Sequence, residues 1–306
     1  MKLTELFNRG TFVVTSEIGP PKGTDVSEML ENAETLRDRV HAINITDQQS
    51  SVMRLGSLAT ARLLKVRDFE PVFQLTCRDR NRIALQSDLL SAAVMGVENV
   101  LCTTGDHVSL GDHPDAKSVF DLDSVSLLQA AVELKNGRDL AGKELKGRPD
   151  FCLGCVVSPC ADPLEPQLLK LEKKIATGAQ FVQTQAVFDP ARFEKFMGLA
   201  KPLKAPVMVG IMILKSAGMA RFMNKNVAGI SVPEALITEM EKATDRVATS
   251  IRIAARLIKE MEGMCQGVHI MPMGWEKKVP AVLDAARLRP EALPHDPDAF
   301  PSDGAI

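Results

Sequence analysis

Residues 11–21 of the sequence are Thr11-Phe12-Val13-Val14-Thr15-Ser16-Glu17-Ile18-Gly19-Pro20-Pro21. The apolar, β-branched centre of this stretch is typical of a buried strand, and the Gly-Pro-Pro segment must end that strand. The sequence therefore places Glu17 at the carboxyl end of a first strand. In parallel α/β proteins this end is where active sites are usually built. A solvated acid at a strand exit is the alternative interpretation.

Outward from this stretch, strand-like and helical segments alternate along the chain. Strands are predicted at 42–46, 71–76, 98–102, 151–157, 180–185, 206–211 and 266–271. Helices are predicted at 25–39, 54–66, 81–95, 122–136, 164–177, from 190, and at 216–225, 233–241, 243–263 and 275–286. Asp25 is a candidate N-cap for the first of these helices, and Asn81 or Asp79 for the third.

Eight alternating units favour parallel pairing through right-handed crossovers. We therefore predict an α/β fold, a single-domain (β/α)8 TIM barrel over residues 1–288, followed by a Pro-rich C-terminal tail at 289–306. An open doubly wound sheet is the alternative fold. It is disfavoured because no Gly-x-Gly-x-x-Gly follows the first strand.

Composition excludes several classes of function. The 306 residues are 45% hydrophobic and 25% charged, with a net charge of −2, which argues against a nucleic-acid or membrane-surface role. The sequence shows no apolar run approaching the ~20 residues of a membrane span and no signal-peptide pattern, so we expect a cytoplasmic protein. One Trp and no Tyr argue against a base-stacking surface.

If the strands close into a barrel, one mouth collects polar residues with few charges. They are Glu17, Thr46, Asp47, Gln74, Thr76, Thr103, Thr104, Gly105, Asp106, Ser158, Gln183, Gln185, Lys215 and His269. Gln183 and Gln185 share one face of their strand. Because a buried amide costs a few kcal/mol unless it is paired, two glutamines there suggest recognition of a heterocycle. The set lacks a Ser-His-Asp arrangement and a three-ligand zinc site.

Cys152, Cys155 and Cys160 have a spacing that suits a metal or redox pair. On a strand, however, residues i and i+3 point to opposite faces. We therefore favour small buried hydrophobic residues and predict no metal site. The loop 106–113 offers a metal-binding alternative, but an active-site loop is the favoured interpretation.

Several motifs carry a resemblance to one family. Residues 16–21 resemble the Glu-x-x-Pro-Pro opening of methylenetetrahydrofolate reductases, and Leu75-Thr76-Cys77 resembles their third-strand segment. Thr104-Gly105-Asp106 stands where the family has Arg-Gly-Asp. Residues 173–179 and 184–189 are similar to its Lys-x-x-x-Gly-Ala and Thr-Gln-Phe-Phe-Phe-Asp stretches. Five motifs occur in the family's order.

The resemblance implies a flavin-dependent barrel that reduces 5,10-methylenetetrahydrofolate to 5-methyltetrahydrofolate. It implies that Glu17 is the general acid toward N10 and that Asp106 acts beside flavin and pterin. Gln185, with Asp106 and Gln183, would bind the tetrahydrofolate substrate. The cofactor is expected to be FAD, with FMN as the alternative. The expected cofactor-binding residues are Thr46, Gln74, Thr104, Gly105, Asp106, Ser158 and Lys174.

This sequence also departs from the family pattern. Gln74 replaces a usual His, and Thr104 replaces the Arg of Arg-Gly-Asp. The segments after strands seven and eight lack the second substrate glutamine, the NADH-holding phenylalanine and the Tyr-Thr-Leu-Asn-Arg run. They look more like acetogen-type reductases that work with a companion subunit. The electron donor is therefore NADH or a partner protein, and the Met-rich segments allow a homo-oligomer.

Two rival functions stay open at this point. One is a flavin- and folate-binding subunit that is active only with a partner electron-transfer protein. The other is an unrelated TIM-barrel aldolase. An aldolase would need a Schiff-base lysine at a strand end, and Lys215 is the residue near such a place.

Overall fold

The computed structural model describes residues 1–290, and its strands form one closed parallel barrel. Each strand pairs with the next in chain order, and the eighth closes on the first. The strands are β1 (Val13–Ile18), β2 (Ala42–Ile45), β3 (Pro71–Thr76), β4 (Asn99–Thr103), β5 (Cys152–Val157), β6 (Phe181–Ala186), β7 (Val207–Met212) and β8 (Gly267–Met271). The predicted TIM barrel is confirmed, and the open sheet is excluded.

Helices surround the barrel. They are α1 (Leu3–Asn8), α2 (Ser27–Thr35), α3 (Ser57–Lys65), α4 (Arg82–Val94), α5 (Ser124–Lys135), α6 (Glu165–Thr177), α7 (Pro190–Ala200), α8 (Ala217–Asn226), α9 (Glu234–Glu241), α10 (Arg246–Met261) and α11 (Val279–Ala285). Side-chain caps start several of them. Asn81 accepts hydrogen bonds from the first-turn N–H groups of α4, as predicted. The Asp25 prediction is wrong by one residue, because α2 begins at Ser27 and the residue at its N-cap position is Val26.

The short helix α1 was not predicted from the sequence. Its buried residues Leu3 and Leu6 pack into the amino-terminal end of the barrel. The backbone N–H of Leu3 also donates to Oδ1 of Asn99, at 2.8 Å. The inward residues that meet the helix are Val13, Ala42, Val72, Leu101, Cys152, Phe181 and Met208. The helix therefore closes the bottom of the barrel with an apolar layer.

Strand parity sorts side chains between the barrel interior and the helix layer. Cys152 belongs to the apolar cluster inside the barrel, and Cys155 belongs to the cluster between barrel and helices, so their predicted opposite orientation is confirmed. All six cysteines are free and buried. Burial raises the pKa of the Cys77 and Cys155 thiols to about 12, which keeps them protonated and unreactive at neutral pH.

Within residues 1–290, no helix is both long and apolar enough to cross a membrane. Of the predicted Pro-rich tail at 289–306, residues 291–306 lie outside the described part of the chain.

We predict that Leu3→Ala lowers the free energy of unfolding by about 2–5 kcal/mol, because it opens a cavity in the bottom layer of the barrel. The control is Val94→Ala, at a residue that is 86% exposed on α4, which should change it by less than about 0.5 kcal/mol. Urea denaturation followed by circular dichroism measures both. Equal stabilities for the two variants would show that α1 does not seal the barrel.

Candidate active site

Glu17 lies where β1 ends, and its side chain is nearly buried at 9% exposure. One carboxylate oxygen, Oε2, is 3.5 Å from Nε2 of His269 on β8. The other, Oε1, accepts from Nε2 of Gln49 at 3.5 Å. His269 is buried whereas Gln49 is exposed, so the carboxyl group has an inner neighbour and an outer one. A carboxyl group in this position can exchange a proton with a molecule at the mouth.

Below Glu17 the barrel interior is polar. Thr15, Asn44, Gln183 and His269 are buried there and bond to one another. The amide of Gln183 pairs with that of Asn44 in both directions, at 2.8 and 3.2 Å. The sequence-based hypothesis gave Gln183 a substrate contact. The structure places its amide inside the barrel, bonded to protein groups, so we assign it a supporting role.

The mouth has one buried polar group without a protein partner and one close approach of two backbone segments. The hydroxyl of Thr46 is buried and has no hydrogen-bond partner among the described residues, so it is available to a ligand. Gly105 adopts a φ of +92°, and a Cβ there would lie 3.1 Å from that of Thr76 and 3.2 Å from that of Arg78. The backbone after β4 thus passes close to the end of β3, which only glycine permits without strain.

An ion-pair network at the ends of β2 and β3 was missed by the sequence reasoning. The side chain of Asp47 is fully buried and accepts from the backbone N–H and the hydroxyl of Thr76, at 2.9 and 2.8 Å. It also accepts two hydrogen bonds from the Arg80 guanidinium, at 2.8 and 3.2 Å. Asp47 was predicted to lie at the mouth, but these contacts make it a structural anchor.

Arg78 holds the loop that carries Asp106. Its guanidinium is buried, pairs with Asp79, and donates to the carbonyl oxygens of Asp106 and Gln48, at 3.3 and 3.4 Å. Asp106 itself is exposed at the rim. The only sequence signal for Arg78 is its place directly after the Leu-Thr-Cys segment.

The loop 106–113 packs against the loop after β2. Asp112 pairs with Lys22 and accepts from the backbone N–H of Met53 at 3.0 Å. A Cβ at Gly111 would lie 1.8 Å from the carbonyl oxygen of Ser51, so glycine is required for this approach. In the β2 loop, residues 48, 50 and 51 have φ values of +51°, +55° and +60°. Such left-handed conformations are uncommon outside glycine and are typical of functional sites.

The other predicted residues occupy different positions. Gln74 on β3 and Gln185 on β6 are half-buried near the mouth, and Ser158 follows β5. The Thr104 hydroxyl accepts from the backbone N–H of Ser124 at 3.2 Å, at the start of α5. Lys174 on α6 is buried and donates to the carbonyl oxygen of Val156 at 2.6 Å, and burial lowers the pKa of its ammonium group.

Residues 1–290 contain no group of three or more His, Cys, Asp or Glu side chains that could hold a metal ion. Lys215 lies beyond β7, with its ammonium group 5.2 Å from the centre of the Trp275 ring.

We predict that Asp47→Ala destabilises the protein by about 3–5 kcal/mol, because it leaves the half-buried Arg80 without its buried partner. The control is Glu34→Ala, which removes a solvent-exposed pair with Arg37 and should cost less than about 1 kcal/mol. Chemical denaturation compares the two. Similar small losses would mean that the Asp47 network does not anchor the mouth.

Known proteins resemble this chain in sequence and in fold. The sequence model of the family described as "Methylenetetrahydrofolate reductase" matches residues 2–287. Methylenetetrahydrofolate reductase 2 of Schizosaccharomyces pombe is 26% identical, over 92% of this chain and 47% of its own length. A probable methylenetetrahydrofolate reductase (NADPH) of Caenorhabditis elegans is 23% identical, over 76% and 34%. The chain therefore spans about half or less of the length of these curated relatives.

Solved structures share the barrel fold. An uncharacterized protein from Clostridium thermocellum, described as binding two copies of 5-methyl-5,6,7,8-tetrahydrofolic acid, superposes with a TM-score of 0.62. It is 16% identical, with 94% of this chain and 99% of that chain covered. An oxaloacetate acetylhydrolase superposes with a TM-score of 0.54 at 13% identity, over 98% and 89%. At these identities the likeness concerns the fold alone. The family match, by contrast, spans nearly the whole described barrel, and this chain belongs to the methylenetetrahydrofolate reductase family.

Proposed function

We propose that this chain reduces 5,10-methylenetetrahydrofolate to 5-methyltetrahydrofolate, with Glu17 as the general acid. The observation that carries the proposal is the position of the Glu17 carboxyl group. It lies in the family's Glu-x-x-Pro-Pro motif, at the end of β1, nearly buried and open toward the mouth. Family membership supports the reaction class, and the Clostridium thermocellum neighbour supports a folate ligand for this barrel.

Glu17 would give its proton to N10 of the folate. The bond between the methylene carbon and N10 then breaks, its electron pair stays on N10, and a 5-iminium cation remains on the substrate. Burial at the mouth excludes most water from the carboxyl group, which favours transfer of the proton to the bound substrate rather than to solvent.

The cofactor proposed for the mouth is flavin, as FAD or, alternatively, FMN. When bound and reduced, it would supply the hydride that converts the iminium carbon to a methyl group. The buried hydroxyl of Thr46, which has no hydrogen-bond partner within residues 1–290, would hold it, and the backbone of Gly105 is proposed to contact it. The remaining residues proposed to hold it are Gln74, Thr104, Asp106, Ser158 and Lys174.

Gln185 and Asp106 are proposed to bind the pterin. Gln185 shares its strand face with Gln183 but lies one layer closer to the mouth, where it is half-buried. Asp106 is exposed, and Arg78 holds its backbone, so its carboxylate can accept from pterin N–H groups and favour the iminium cation.

The electron donor is proposed to be NADH or a partner protein. The end of β8, residues 269–273, lacks the Tyr-Thr-Leu-Asn-Arg run of the NADH-using enzymes that the sequence resembles. This departure favours the second candidate function, a flavin- and folate-binding subunit that turns over only with a companion electron-transfer subunit. A homo-oligomer is the further proposal for its assembly.

The first experiment is an absorption spectrum of the purified protein, followed by anaerobic mixing of its photoreduced form with methylenetetrahydrofolate. We expect a yellow protein that the folate reoxidises. Failure of NADH to reduce the flavin, with folate reoxidation intact, would point to a partner as the electron source. A colourless protein that cannot be loaded with flavin would overturn the proposal and favour the aldolase rival, which borohydride trapping at Lys215 would test.

We predict that Glu17→Gln retains flavin and slows folate-dependent reoxidation by about 10²–10⁴-fold, because the amide cannot supply the proton. The control is Glu31→Gln, at an exposed acid on α2 that pairs with Lys277, which should leave the rate unchanged. Stopped-flow absorbance of the flavin measures both. A Glu17→Gln rate near that of the wild type would remove Glu17 from the chemistry.

A further inference from the structure

Four buried residues inside the barrel form a hydrogen-bonded series, the polar chain, which runs through Asn44, Gln183, Thr15 and His269. It begins with a pair of amides. Asn44 Nδ2 donates to Gln183 Oε1 at 2.8 Å, and Gln183 Nε2 donates to Asn44 Oδ1 at 3.2 Å. The pair would form equally well with both amides turned over, but the side of the Gln183 amide that faces Thr15 also faces Sδ of Met208, at 3.9 Å. A thioether sulfur accepts hydrogen bonds and cannot donate one, so this side carries Nε2. The second hydrogen of Gln183 Nε2 is then directed toward the hydroxyl oxygen of Thr15, 3.4 Å away. Thr15 therefore receives a hydrogen bond from below.

The Thr15 hydroxyl can donate its proton to Nδ1 of His269. Its oxygen lies 2.9 Å from Nδ1 of His269, which is the neighbouring residue in the pairing of β1 with β8. If Thr15 accepts from Gln183 and donates to Nδ1, every polar group in the chain is satisfied. The proton of the neutral imidazole is then on Nε2.

That ring N–H faces the general acid. Nε2 of His269 is 3.5 Å from Oε2 of Glu17. The adjoining strands present Thr15 and Glu17 from β1 and Gly210 from β7 beside the imidazole, so Glu17 is its ionisable partner. Lys215, the lysine that follows β7, lies over the Trp275 ring. Below the chain, the apolar bottom layer offers the imidazole no competing acceptor.

We propose that His269 is a positioning residue for the proton transfer, acting through Glu17 with Thr15 and Gln183 behind it. The proposal rests on the proposed function. When the Glu17 proton moves to the folate nitrogen, negative charge develops on the carboxylate. The Nε2–H group of His269 donates to that carboxylate and stabilises the charge as it forms. The hydrogen-bonded series Asn44, Gln183 and Thr15 orients this donor before the reaction, so that only the approach from 3.5 Å to hydrogen-bond distance is left for the transfer.

The test compares His269→Leu with His269→Gln. Leucine fills much of the ring's volume but cannot donate, whereas a glutamine amide can place an N–H near the position of Nε2. In anaerobic stopped flow, we expect His269→Leu to slow folate-dependent reoxidation by about 10–100-fold, the value of one hydrogen bond to a charged group. His269→Gln should recover most of the rate. Flavin content and the folate concentration giving half-maximal rate should be unchanged in both variants.

The pH profile separates a positioning role from a structural one. Without the donor, the Glu17 carboxylate is less stable and the acid form persists to higher pH. The alkaline fall in rate should therefore move upward in His269→Leu and return in His269→Gln. A merely structural histidine would lower the rate equally at every pH. ¹⁵N NMR of labelled histidine gives a second readout, in which the wild-type resonance that is lost in His269→Gln should show protonation at Nε2.

The results separate failure of the proposed function from failure of the His269 inference. A wild-type protein whose reduced flavin does not react with the folate overturns the proposed function, and this inference with it. A reactive wild type with an equally fast His269→Leu overturns the inference alone. So does a His269→Gln variant that folds, by circular dichroism, but is as slow as His269→Leu, or a resonance protonated at Nδ1.

Discussion

The candidate site depends on one constraint, which is that polar groups enclosed in a closed barrel must find their partners inside it. The reciprocal amide pair of Asn44 and Gln183 meets this requirement across the barrel, between β2 and β6. An unpaired amide at this depth would cost a few kcal/mol. The pair instead orients the next group, Thr15, and through it His269, so that the packing of the interior determines the surroundings of Glu17.

A second set of contacts determines the shape of the mouth. Asp47 ties the end of β2 to the end of β3, and Arg78 ties β3 to the loops after β2 and β4. Both residues are buried charges whose partners are close and well oriented, which is the condition under which such charges are tolerated. The exposed residues at the rim, Asp106 and Gln49, are therefore carried on loops whose bases are fixed.

The part of the chain that matches the family holds the candidate site, whereas its relatives are about twice as long or more. The barrel holds the Glu17 motif, the unpaired Thr46 hydroxyl and the close approach at Gly105, all within the residues that match the family. The curated relatives extend well beyond the region they share with this chain. We therefore propose for the barrel the half-reaction in which the folate is reduced. The half-reaction in which the cofactor receives electrons involves NADH or a partner protein in our proposal.

The positions of the strands and their parity can be read from the sequence. Apolar runs bounded by turn residues located β1 to β8, and alternation along a strand separated Cys152 from Cys155. It also placed Glu17 at the end of β1, because Gly19-Pro20-Pro21 cannot continue a strand. These features are local, so a single sequence contains them. Helix α1 escaped prediction because six residues carry too little periodicity.

Which polar residues meet, by contrast, depends on how the barrel closes. Thr15 and His269 are 254 positions apart, and Asn44 and Gln183 are 139 apart, so no local pattern could pair them. For the same reason, no local pattern indicated that the Lys174 ammonium group donates to the Val156 carbonyl oxygen, or that Asp47 anchors Arg80. Such partners are chosen by barrel closure and register, which bring distant strand ends to one mouth, where the cost of leaving a buried polar group unpaired selects the contacts.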